Sequence, residues 1–172
     1  MDVKPFAPET EMLARRVLLL CCHLALSLLG HGASACPNPD LNAAVQVRSN
    51  GAALRMGLSR RVWAGGTASL ADCGQVGMTE SGAMTFPDAP SFSANLGGML
   101  GLAIEIDADS RCPVGLLVQT ADGTFYFDAD GGGPGQPRMI LRHPGRGTML
   151  IWVGTADPQP CRTTLRLTTY AG

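Results

Sequence analysis

The residues that could do chemistry in this chain are few, and their spacing decides what they can do. Six cysteines are present in 172 residues. Cys21 and Cys22 lie in an apolar N-terminal stretch, and Cys36, Cys73, Cys112 and Cys161 are spread over the rest. Neither a Cys-x-x-Cys spacing nor a histidine pair accompanies them, so a zinc site is not expected. His143 is the one histidine after residue 35, and it sits before Pro144 in a turn with Arg142 and Arg146 beside it. A Ser-His-Asp triad needs a serine at hydrogen-bond distance and an orienting carboxylate. The serines are scattered, and none occupies a Gly-x-Ser-x-Gly elbow. No catalytic residue is therefore assigned. The acids offer more. Asp128-Ala129-Asp130 precedes Gly131, and Asp107-Ala108-Asp109 repeats the spacing. Oxygen ligands two residues apart before a glycine suit a hard cation such as calcium. No glutamate closes an EF-hand loop, and Asp also fills turns by accepting from its own backbone. The expectation is that Asp128 and Asp130 serve the turn and that no cofactor binds, with calcium as the alternative. Arg138, Arg142, Arg146, Arg162 and Arg166 could line one exposed face, but a net charge of −1 gives no bulk field for nucleic acid.

The segments that position these residues read as short strands. Gly and Pro number 22 and 12, and charged residues make up 16%. That composition suits many turns and few helices. Leu102, Ile104 and Ile106 alternate with Ala103, Glu105 and Asp107, the period of a strand with one buried face. Residues 114–120 and 124–128 flank an Asp122-Gly123 turn, a hairpin signal. There Phe125 and Phe127 are expected inward and Tyr126 outward. Residues 138–142, 148–155 and 161–169 read as the closing strands, with 43–48, 61–64, 67–71 and 90–95 as weaker candidates before them. The fold class is all-β, an antiparallel jelly-roll-like β-sandwich preceded by a signal peptide.

The N-terminus specifies a compartment. Arg15 and Arg16 precede an apolar run at 17–29, and Ala33-Ser34-Ala35 supplies small residues at a cleavage site. That is the pattern of a secretory signal peptide, with Met1 or Met12 as its start. The run is short for a membrane span, and no second one follows. Residues 1–35 are read as lead-in and signal, and 36–172 as the domain. Cleavage leaves Cys36 first, which makes a lipoprotein acylated at Cys36 an alternative to a freely secreted or periplasmic chain. Ala33 stands where a lipobox usually has Leu, which favours ordinary cleavage.

Gly-Leu-Leu-Val at 115–118, Asp-Gly-Thr-Phe-Tyr-Phe-Asp-Ala-Asp at 122–130, Pro137, Met139, Leu141, Gly147 and Ile-Trp-Val-Gly-Thr at 151–155 together resemble the bacterial pre-peptidase C-terminal domain. The resemblance covers about 105–169 and looks like a stand-alone secreted variant. It implies a jelly-roll sandwich, usually appended to exported proteins and not itself catalytic, in which Asp128 and Asp130 match the family's acidic pair. Met149 stands where that family commonly has Tyr.

Four cysteines allow three pairings. Of these, Cys36–Cys73 and Cys112–Cys161 are expected. The first ties the new N-terminus to the strands around Gly65-Gly66, and the second joins the start of 114–120 to the start of the last strand. The expected function is an exported non-catalytic binding or accessory module for a protein or cell-envelope component. A small secreted hydrolase with an unrecognised site is the alternative from another class. The central strand is apolar on both faces: Met149, Ile151 and Val153 face inward, and Leu150 and Trp152 outward. With Leu117, Tyr126 and Ile140 added, this parity builds a large outer apolar patch. Either a loop covers it, or Trp152, Tyr126 and Leu150 form the centre of a partner-binding surface.

Overall fold

The computed structural model describes residues 36–73 and 84–172. Among the described residues, eleven strands form two sheets that pack as a sandwich. They are β1 (Val45–Asn50), β2 (Leu58–Ala64), β3 (Ala68–Ser69), β4 (Thr85–Phe86), β5 (Phe92–Gly97), β6 (Leu102–Ser110), β7 (Val114–Gln119), β8 (Phe125–Asp128), β9 (Arg138–Leu141), β10 (Gly147–Thr155) and β11 (Cys161–Ala171). The only described helix, α1 (Gly51–Leu54), is one turn long and is capped by Asn50, whose side chain accepts from the Ala53 N–H.

β10 is the axis of the first sheet. It pairs with β5 on one side from Gly147 to Ile151, and with β7 on the other from Leu150 to Thr155. Beyond β5 lies β1, and beyond β7 lies β8. Where β5 runs out, the Ser91 side chain accepts from the Val153 N–H at 3.1 Å, so the buried donor stays satisfied. β4 then pairs at Thr155, and β3 adds to β4. The second sheet runs β2-β11-β6-β9, wholly antiparallel. One pairing departs from the antiparallel expectation: β1 runs parallel to β5. A parallel neighbour requires a crossover, and the second sheet's β2 with its following segment supplies the chain between them.

The main core lies between the sheets. Phe92, Ala94, Met149, Ile151, Val153, Leu116 and Val118 meet Ile104, Ile106, Leu165, Leu167, Met139 and Leu141. Alternation in β6, β9, β10 and β11 places these residues inward as their period of two requires. Two disulfides tie the edges. Cys36 pairs with Cys73 at a Cα separation of 5.5 Å, and Cys112 with Cys161 at 6.5 Å.

A second apolar cluster sits on the outer face of the first sheet. Trp152 and Leu117 lie there under Ala68, Leu70, Cys73 and Phe86, with Cys36, Met84, Phe125, Phe127 and Leu150 packed around them. The cover is therefore the segment of β3, a short 3₁₀ turn and β4, fastened to Cys36 by its disulfide. Two glycines make room for it. Gly154 faces Gly115 across the β10–β7 ladder. A Cβ on Gly154 would stand 2.5 Å from the Phe86 ring, and one on Gly115 would stand 2.6 Å from Met84 Sδ. The run that begins at Thr148 meets a glycine at 154 because Phe86 lies across it.

Candidate functional site

The outer patch is not a partner surface centred on Trp152. The Trp152 side chain is 0% exposed. Its indole N–H donates to the Asp88 carbonyl at 3.3 Å, and the Phe125 ring lies 6.2 Å away, centroid to centroid. A polar handle that finds a backbone acceptor completes the burial of an indole. The covering alternative holds, and the covering chain is 68–73 and 84–88 with Cys36 beside it. Leu150 is half-buried at the margin of the same cluster.

Tyr126 lies on the other side of the sheet. The register sets Val118 opposite Tyr126 and Leu117 opposite Phe127. Directly opposed residues share a face, so Tyr126 lies on the Val118 side and Phe125 and Phe127 on the Trp152 side. This reverses the expected parity of β8. Tyr126 keeps 40% of its surface exposed because β8 is an edge strand. Ile140 belongs to the second sheet, opposite Glu105, and never meets Trp152. The five residues expected to form one patch thus divide among three surfaces.

Asp128 and Asp130 separate in role. Asp128 Oδ2 accepts from the Gly131 N–H at 3.1 Å and from the Arg138 N–H at 2.7 Å. Its carboxylate closes the loop between β8 and β9, the turn role open to Asp from sequence. Asp130 is exposed at the loop surface. Among the described residues no three His, Cys, Asp or Glu side chains gather as a metal site.

Three of the five arginines share the outer face of the second sheet. Arg166 reaches Asp107 at 3.2 Å and Asp109 at 3.0 Å, and Arg138 reaches Glu105 at 2.7 Å. The Asp109 hydrogen bond, joined by Asp107, raises the Arg166 pKa above its ordinary value. Arg162 places its guanidinium 5.1 Å from the Trp63 ring centroid. Trp63 is 56% exposed and was not singled out from sequence. Its position opposite Arg162 on β2 became legible only with the strand register. On this face Arg138 and Arg166 are paired with Glu105, Asp107 and Asp109, while Arg162 lies over Trp63 and Arg61, opposite Thr164, adds a further exposed cation.

Arg142 and Arg146 are elsewhere. With His143, Met99 and Leu100 they line a depression of about 540 Å³ at one end of the sandwich. No acid, serine or cysteine lines it, so His143 has neither an orienting carboxylate nor a nucleophile there. At the same end, Thr120 Oγ1 donates to Asp122 Oδ1 at 2.5 Å and the Thr124 N–H donates to the same oxygen at 3.1 Å. These bonds, the Thr120 hydroxyl first, hold the Asp122 carboxyl below the ordinary range.

The Cys36 sulfur, bonded to Cys73, is not available for acylation in this arrangement. Among the described residues no helix is long and apolar enough to cross a membrane.

No protein-family model matches the chain, and no curated protein does. Among solved structures, the pre-peptidase C-terminal domain of a collagenase from Bacillus anthracis is similar, at a TM-score of 0.40 and 9% identity, covering 76% of this chain and 99% of that one. That domain is of the family which residues 105–169 resemble in their motifs. The β-sandwich itself is established by this chain's own two sheets.

Proposed function

We propose that the chain is an exported, non-catalytic β-sandwich that serves as a binding or accessory module. The observation that carries this reading is how its reactive side chains are used. Glu105, Asp107 and Asp109 are bound by arginines, Asp128 closes a loop, and Asp122 holds a turn. Four cysteines stand in two pairs. General acid–base work needs a carboxyl or imidazole free to reach a second reacting group. Glu105, Asp107 and Asp109 do line one depression together, but each is held there by Arg138 or Arg166. The secretory pattern at 12–35 and the two cysteine pairs support an oxidising compartment outside the cytoplasm.

The test is to express the full chain, recover it from periplasm and medium, and assay it against ester, peptide and glycoside substrates. The expected result is release of the protein and no turnover above the blank. Turnover abolished by His143→Ala or Asp130→Asn would replace this reading with a small secreted hydrolase.

A further inference from the structure

The two most exposed large apolar side chains in the described structure lie in neighbouring loops. Leu100 is 99% exposed and Met56 is 90% exposed. Leu100 sits in the turn between β5 and β6, and Met56 in the chain that leaves α1 toward β2. β1 and β5 run parallel, so both loops leave the sandwich at the same end. A Cβ on Gly51, at the start of α1, would stand 2.6 Å from the Gly98 carbonyl, which places the two loops in contact. The β9–β10 loop joins them, since Ile104 at the start of β6 pairs with Leu141 at the end of β9.

The cations outnumber the acids in the loops at this end. Arg55 follows α1, and Arg142 and Arg146 flank His143 beside Leu100. Among the described residues none of these three arginines forms an ion pair. Asp122, held in its turn by Thr120 and the Thr124 N–H, keeps its negative charge at this end, and Gly172 lies here too, its N–H donating to the Gly101 carbonyl. Single exposed apolar residues need no explanation by themselves. Two apolar tips ringed by unpaired guanidiniums form a different arrangement. It matches the layered chemistry of a bilayer surface, where anionic phosphates lie at the level of the cations and the apolar boundary lies just beneath. A protein hot spot, by contrast, seats its anchors in well-packed pockets, and here the apolar groups project.

We infer that this end of the sandwich, through Leu100, Met56, Arg55, Arg142 and Arg146, docks reversibly on an anionic lipid bilayer. The inference rests on the reading of the chain as an exported binding module, and it supplies the partner that reading lacks. Leu100 and Met56 enter the interfacial layer, while the arginines meet headgroup phosphates and carry the salt dependence.

The experiment uses protein recovered from the exported fraction of cells expressing the full chain. It is sedimented with vesicles of phosphatidylcholine alone and of phosphatidylcholine with phosphatidylglycerol. Sedimentation is expected only with the anionic vesicles, and it should fall as salt is raised. Leu100→Ser should weaken binding roughly tenfold. Arg142→Gln should weaken it roughly fivefold. Both side chains are exposed, so both variants should keep the wild-type melting temperature.

Processed protein that ignores the anionic vesicles would overturn the membrane inference and leave the export reading intact. Binding that Leu100→Ser leaves unchanged, or that inorganic phosphate competes away, would reduce the end to an anion site and overturn it as well. The chain mass is read on the same sample. A chain still carrying residues 1–35 would instead overturn the export reading on which the inference rests.

Discussion

Trp152 is the residue on which the outer half of the first sheet depends. It is fully buried, contacts Phe125, and spends its only donor on the Asp88 carbonyl. Trp152→Ala should lower stability by about 3–5 kcal/mol, the range for a large aromatic removed from a packed site. Denaturant unfolding checks this, and a loss under about 1 kcal/mol would place the indole at a surface instead. A second residue-scale prediction concerns Asp122. Its folded pKa is depressed, chiefly by the Thr120 hydroxyl. Its contribution to stability is therefore present above the ordinary carboxylate range and is lost as pH falls through the folded value. Thr120→Val should bring the Asp122 titration midpoint, followed by carboxyl carbon NMR, back up toward the ordinary range. The stability gap between wild type and variant should then narrow in acid. An unmoved midpoint would mean that the Thr124 N–H alone sets the shift. Residue types signalled these roles unevenly. That Trp152 points away from the main core was legible from parity, but what lies above it was not, because β3 and β4 are two-residue strands without a periodic pattern.

At the scale of elements, register decides what alternation alone leaves ambiguous. β8 holds only Phe125–Asp128, four residues that are apolar on both faces for most of their length. A period of two over so short a run cannot tell which face is inward, and a slip of one residue exchanges the faces. The longer strand β6 carries enough alternation to fix its own side, with Leu102, Ile104 and Ile106 in the core, and β10, apolar on both faces, keeps Met149, Ile151 and Val153 inward as expected. The cover over β10 is likewise an element-scale device. Gly154 and Gly115 form its floor, and Phe86 is seated on Gly154. Gly154→Ala should destabilise by about 1–3 kcal/mol through overpacking. Adding Phe86→Leu should recover part of that loss, since the two positions touch and their effects are not additive. Strictly additive losses in thermal unfolding would show that Phe86 does not rest on this strand. The parallel pairing of β1 with β5 could not be read from sequence, because strand direction leaves no trace in the alternation of a six-residue segment.

For the whole molecule, the two sheets, the cover and the two cysteine pairs form one design. The sheets supply the main core. The cover seals the apolar outer face of β10, and Cys36–Cys73 fastens the cover to the chain's start in the described structure. The pairs join residues separated by 37 and 49 positions. On the chain-entropy model, each closure of that length is worth roughly 4 kcal/mol as an upper figure. Sequence order already pointed to both pairs, because each joins the start or end of a strand to a neighbour that the sandwich brings close. Export, cleavage before Cys36 and closure of the cover stand or fall together. Non-reducing peptide mapping of protein recovered from outside the cytoplasm tests this claim most directly. It should find an N-terminal peptide that begins at Cys36 and is linked to the Cys73 peptide, and a second linkage between Cys112 and Cys161. A peptide joining Cys73 to Cys112, a free or acylated Cys36, or an N-terminus upstream of residue 36 would contradict it.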